Sequence, residues 1–177
     1  MPKFAASLPL LFTEVDFFDR FKAAADVGFK AVECTFPYTH SAAEVKQRLV
    51  DHELKLVKFN LPPGDMDAGD FGLTALPGRE SEFRDSVGKA IEYARLLACP
   101  LLHTLAGVAP EGRNPAKCMD TYVENLSFAA ATLDEHGIGL MIEAVNTRDF
   151  PGYFLSRTAQ ALEVLGMVSS ENLSLQY

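Results

Sequence analysis

Long apolar runs are missing from this sequence. No stretch approaches the ~20 residues that a membrane span requires, and the opening Met1-Pro2-Lys3-Phe4 lacks the basic-then-apolar plan of a secretory leader. A membrane partner is therefore not expected, and the cytoplasm is the default compartment. Cysteine is scarce: Cys34, Cys99 and Cys118 make an odd count without CxxC spacing, which argues against a disulfide framework and a cysteine zinc site alike. Positive charge is also short, with 16 Lys and Arg against 24 Asp and Glu, a net charge of −8 and a pI near 5.0. That balance opposes the attraction on which non-specific nucleic-acid binding depends, so no nucleic-acid partner is expected. An anionic substrate would have to rely on a few placed cations such as Lys58, Arg79 or Arg84, each read first as solvated surface. Glycine is absent from Ser7 to Phe12, where a dinucleotide-binding sheet would carry its phosphate turn. No internal repeat is visible.

What is present is a regular alternation of strand-like and helix-like segments. Short apolar runs at Phe4 to Leu8, Ala31 to Phe36, Leu54 to Asn60, Leu101 to Gly107, Gly139 to Asn146 and Leu173 to Tyr177 read as six strands. Between them lie five segments with helical spacing. The first is placed behind Asp16 as N-cap and ends at Gly28. The second opens on a capping box, Ser41 with Glu44. The third carries Phe83, Val87, Ala90, Ile91, Ala94 and Leu97 on one face. The fourth starts at Asn114 with Pro115 in the first helical position, and the fifth uses Ala161, Leu162 and Leu165 and stops near Gly166. Alternation of this kind predicts right-handed crossovers and a parallel sheet whose strands pair in chain order. A (β/α)8 barrel needs eight strands and about 250 residues, so an incomplete barrel competes with an open doubly wound sheet.

One residue stands out against this scaffold. Glu143 sits near the C-terminal end of the apolar run Gly139 to Asn146, where an ionised carboxylate among Leu140, Met141, Ile142 and Val145 loses hydration unless something answers it. A buried salt bridge would serve. So would a metal-binding or catalytic acid, because α/β sheets carry their chemistry at C-terminal strand ends. Glu33 poses the same question on the second strand, with a structural ion pair as its alternative. His103 could face substrate or fill a hydrogen-bonded core position. Asn60 and Asn146 end strands where substrate hydroxyls would lie, or cap the turns that follow. The irregular stretch 61–79, with three prolines and four glycines, reads as a loop expected over the C-terminal mouth of the sheet near Glu143.

The wording of that loop, Asn60-Leu-Pro-Pro-Gly-Asp65 followed by Asp67 to Arg79, adds a resemblance. Together with Phe4 to Leu8, Leu11-Phe-Thr-Glu14, Gly28 to Glu33, Phe36-Pro-Tyr38, Glu82-Phe-Arg-Asp85 and Glu143-Ala-Val-Asn146, it resembles the hydroxypyruvate isomerase family, which includes 2-oxo-tetronate isomerases and belongs to the xylose-isomerase-like barrels. The resemblance implies a (β/α)8 TIM-barrel fold of which about six strands and five helices are present, residues 1–177 forming a single domain equivalent to its N-terminal part. It implies an isomerase that interconverts an α-hydroxy aldehyde and an α-hydroxy ketone through an enediolate, the substrate being hydroxypyruvate and tartronate semialdehyde or a 2-oxo-tetronate.

It further implies two glutamates working near a divalent metal ion, Mg, Mn or Zn. Glu143 matches the first, as catalytic acid and metal ligand, with Asn60, His103 and Asn146 as substrate-binding candidates. The family's next metal-binding acid follows directly after the position of Tyr177, and the second glutamate lies beyond it. A chain so cut is expected to have little activity by itself and to self-associate through its open edge strands. The sequence departs from the family pattern at Ser7, where asparagine is common, and near Met66, where tryptophan is. Two alternatives stand: a truncated, non-catalytic member acting as a fragment or binding partner, and a metal-dependent phosphodiesterase or nuclease of similar barrel type, which its four histidines do not favour.

Overall fold

A computed structural model describes residues 2–109, 112 and 114–177. Six strands and five helices alternate: β1 (Ala6–Ser7), α1 (Asp19–Asp26), β2 (Ala31–Glu33), α2 (Ala42–Asp51), β3 (Lys55–Asn60), α3 (Glu80–Leu97), β4 (Leu101–His103), α4 (Pro115–Asp134), β5 (Gly139–Glu143), α5 (Thr158–Val168) and β6 (Leu173–Gln176). All neighbouring strands run parallel, in the order β1-β2-β3-β4-β5-β6. The strand order follows from the short crossovers, each of which returns the chain beside the strand it has just left. Most strands are shorter than their apolar runs: at β2, β4, β5 and β6 the run continues past the strand into the loop at the C-terminal end, whereas β3 starts one residue after its run begins and ends with it at Asn60.

The helices cover one face of the sheet. Val32, Phe59, Leu102, Leu140 and Ile142 point toward them and are fully buried, against Phe83, Val87, Ala90 and Ala94 of α3 and Tyr122, Leu126, Ala129 and Leu133 of α4. Alternation then turns the intervening strand residues to the opposite, concave face. One break in that alternation matters. Val32 pairs with Leu56, but Glu33 pairs with Lys58, so Val57 is an extra residue on β3. Such a bulge re-aims the side chains that follow it. Lys58 consequently joins Glu33 on the concave wall instead of pointing to the helices.

Local signals explain most helix boundaries. Ser41 and Glu44 form the reciprocal capping box at α2, and Asn114 Oδ1 accepts from Ala116 N–H with Pro115 in the first turn of α4. Two expectations fail. Asp16 is not the N-cap of α1; Phe18 is, without a side-chain bond, while the backbone carbonyl of Asp16 receives the amides of Asp19 and Arg20. Gly166 does not stop α5, which continues to Val168 and ends on Ser169 in the left-handed region at φ 50°. Leu165 and Val168, packed against the core beyond the buried Ala161 and Val164, hold that last turn, whereas Leu162 lies exposed.

The 61–79 loop is tightly stitched. Leu61 N–H donates to the His103 carbonyl, Ala75 N–H to the Ala106 carbonyl, and Asn125 Nδ2 to the Thr74 carbonyl. Thr74 and Thr104 share a buried hydroxyl contact of 2.7 Å. Gly72 is required where it stands: its φ is +108°, and a Cβ there would run into the Leu105 carbonyl. The loop is thus part of the domain, packed on the C-terminal ends of β3 and β4.

Candidate active site

The last residue of every strand meets the same cavity. Ser7, Glu33, Asn60, His103, Glu143 and Gln176 end β1 to β6 in turn, and all line a cavity of about 530 Å³ at the C-terminal mouth of the sheet. Lys58 lines it from the bulge, Phe71 from the 61–79 loop, and Phe150 from the loop after β5. The rings of Phe71 and Phe150 stack at 4.3 Å, joining two loops at the cavity's edge. That volume suits a small molecule. A larger cavity of about 1030 Å³, lined by Phe4, Val27, Phe29 and Ala31 among others, gathers none of the orphaned polar atoms described next.

Buried polar atoms without a partner are uncommon, and each asks for an explanation. Among the described residues five such atoms occur, and four belong to this cavity: Asn60 Oδ1, both ring nitrogens of His103, and Gln176 Oε1. His103 is 1% exposed, and burial first, then the nearby Lys58 charge, depresses its pKa to about 3. It is therefore neutral at physiological pH, with one N–H to donate and one nitrogen to accept. A core histidine would have used both. Here neither has a partner among the described residues, and the residue lines the cavity.

Glu143 is half-buried at the end of β5. Its Oε2 accepts a hydrogen bond from Gln176 Nε2 at 3.2 Å, and Oε1 accepts none among the described residues. Burial raises its pKa above the ordinary carboxylate value, an effect opposed by the Lys58 charge and the Gln176 bond and reinforced by Glu33. Glu33 itself is engaged, with Lys58 Nζ 3.0 Å from its Oε2. Its structural alternative, the ion pair, holds. Lys58, by contrast, is not solvated surface: its side chain is 13% exposed inside the cavity.

Arg79 is paired with Asp70 and Glu82, and Arg84 lies over the Phe128 ring, so neither contributes a cation to the cavity. Asn146 reaches only the rim. Its Oδ1 accepts from the amides of Arg148 and Asp149 and its Nδ2 donates to Asp149, so the side chain proposed for substrate hydroxyls caps its own turn. Cys34, Cys99 and Cys118 are buried free thiols, and burial pushes the first two up to about 12.

Gln176, Phe71 and Phe150 escaped the sequence reading, and Lys58 was read there first as solvated surface. Gln176 obeys the same strand-end rule that singled out Glu143 and was readable by it. Lys58 depends on the bulge, and the Phe71 and Phe150 stack on loop packing. Neither leaves a pattern in the sequence.

A divalent cation fits poorly with these residues alone. Hard cations take several oxygen ligands, and no group of three His, Cys, Asp or Glu side chains able to hold one exists among the described residues. Glu143 is the one cavity carboxylate not already paired with a cation.

Comparison with known proteins agrees with this geometry. A family model described as xylose isomerase-like TIM barrel matches residues 21–177. The 2-oxo-tetronate isomerase of Cupriavidus necator is 46% identical over 177 residues, all of this chain and 68% of the relative. The hydroxypyruvate isomerase of Escherichia coli is 44% identical over 177 residues, again all of this chain and 69% of the relative. A Brucella melitensis crystal structure described as AP endonuclease, family 2, superimposes with a TM-score of 0.97 at 43% identity, covering 99% of this chain and 68% of that one.

Proposed function

The chain belongs to the xylose isomerase-like TIM barrel family, and within that family we propose that it is an isomerase moving a proton between the adjacent carbons of a small α-hydroxy carbonyl compound. The observation that carries this reading is the convergence of Glu143 with the orphaned groups of Asn60, His103 and Gln176 in one cavity. A substrate bearing a carbonyl next to a hydroxyl supplies the missing hydrogen-bond partners.

In this scheme Glu143 Oε1 takes the proton from the hydroxyl-bearing carbon. The C–H electron pair forms the C=C bond of an enediolate, and the former carbonyl oxygen gains the negative charge. Neutral His103 passes the N–H proton of one ring nitrogen to that oxygen, and the same nitrogen then takes up the proton of the adjacent hydroxyl, so the imidazole ends neutral as it began. Glu143 then returns the proton to the neighbouring carbon. A raised carboxylate pKa suits the task, since a base works best when its pKa approaches the operating pH. Gln176 fixes the carboxylate plane through Oε2 and leaves Oε1 toward the substrate. The described residues do not form a metal site by themselves, and this scheme routes no step through one.

A nuclease reading receives less support. Phosphodiester backbones are held by several cations, while the cavity-lining residues include one, Lys58, in a chain of net charge −8. The compounds for which the isomerase relatives are named, hydroxypyruvate and 2-oxo-tetronate, match the proposed chemistry. The test is steady-state isomerisation of hydroxypyruvate and of a 2-oxo-tetronate by the wild type and by Glu143→Gln. Loss of the base should lower kcat by ~100- to 10,000-fold without lowering the thermal melting point. Equal rates for the two proteins would end the assignment.

A further inference from the structure

Lys58 is placed at some cost. A bulge in β3 turns it out of the helix interface and into the cavity wall, where its side chain is 13% exposed. Its ammonium carries three N–H donors. One meets Glu33 at 3.0 Å, and no second acceptor bonds it among the described residues. Beside it lie Asn60 and His103, themselves short of partners. Among the described residues lining the cavity it is the one cation, and its charge reaches both His103 and Glu143.

We propose that Lys58, held in place by Glu33, docks the carboxylate of the substrate and gives the site its preference for α-hydroxy carbonyl acids over neutral ketoses. The proposal rests on the isomerase reading above and deepens it. Electrostatics favours one orientation: an acid placed with its carboxylate toward Glu143 meets an unpaired like charge, whereas at the other end the Glu33 carboxylate is already paired and the Lys58 ammonium keeps N–H donors to spare. Seated that way, the acid leaves its carbonyl and hydroxyl carbons to meet Glu143, which lines the same cavity. A neutral ketose gains nothing from the ammonium beyond an ordinary hydrogen bond. Glu33 acts as a positioning residue, because it anchors the flexible lysine stem so that the remaining donors face the cavity.

The experiment measures binding by calorimetry, using the protein at its natural length. The probes are hydroxypyruvate and dihydroxyacetone, which differ by a carboxylate in place of a hydroxymethyl group. Lys58→Met should weaken hydroxypyruvate binding by ~10- to 100-fold, the range of one charge-assisted hydrogen bond, and leave dihydroxyacetone unchanged. Lys58→Arg should recover most of the difference. A double variant, Lys58→Met with Glu33→Gln, removes the carboxylate left unpaired by the single change, guards against misfolding and should show the same selective loss. Equal weakening of both probes, no weakening of either, or a selective loss that vanishes in the double variant overturns the role of Lys58. Turnover in the same samples is read separately: selective, Lys58-dependent binding without any isomerisation supports the docking role and overturns the isomerase reading instead.

Discussion

Gln176 Nε2 donates to Glu143 Oε2 at 3.2 Å, across a register in which the two residues are direct partners on β5 and β6. This bond stabilises the charged form of Glu143 against the burial that raises its pKa. Replacing Gln176 with Leu removes the opposing influence, so the Glu143 pKa should rise further. A base must be deprotonated to act, and activity falls as pH drops through its pKa. The acid limb of the kcat/KM profile should therefore move to higher pH in Gln176→Leu. An unmoved limb would detach Gln176 from the base.

Stability at Glu143 should change in the opposite sense to activity. Its pKa is raised on folding, so the native state disfavours the ionised form. Below the ordinary carboxylate value of 4.5 the side chain is protonated folded or unfolded, and the penalty is absent. It develops as pH rises through that value and is complete above the folded pKa. Glu143→Gln should accordingly melt higher than wild type at pH 7, with the gain shrinking toward zero near pH 4. A loss of stability at pH 7 would contradict the burial argument.

The loop that brings Phe71 to the cavity is fastened by Arg79, which bonds Asp70 on one side and Glu82 on the other. Asp70 also receives the Asp65 amide at 2.7 Å. Arg79→Ala should cost ~1–2 kcal/mol, since the bonds are charge-assisted but partly exposed, and should raise KM more than it lowers kcat. The Arg79 bond holds the Asp70 carboxyl below its ordinary value of 3.8, so its contribution is present above that pH and is lost as acid protonates it. Urea melts at pH 7 and pH 3 check both statements.

The parallel sheet in chain order was legible because apolar runs and amphipathic segments alternate without interruption, and the capping box at Ser41 and the proline start at Pro115 announce their helices locally. Glu143 was legible because a carboxylate in an apolar strand is conspicuous. Lys58 was not, since an ordinary strand would have sent position 58 to the other face, and one inserted residue reverses that. His103 could be read two ways until its neighbours were known: only the three-dimensional arrangement reveals that neither nitrogen has a protein partner among the described residues. Asn146 shows the converse. Its strand-end position pointed to the site, but the Asx geometry of the following turn takes up its side chain. Gly166 misled because a helix whose last turn is packed tolerates glycine at a cost of only ~1 kcal/mol.

The central claim is that Glu143 carries the substrate's proton between adjacent carbons. Isomerisation of hydroxypyruvate followed by NMR in deuterium oxide tests it most directly. A proton held on a half-buried carboxylate exchanges with solvent, so the account predicts deuterium at the reacting carbon of the product, with Glu143→Gln abolishing both label and turnover. Product formed by the wild type without solvent deuterium, or labelled product formed at an undiminished rate by Glu143→Gln, would contradict it.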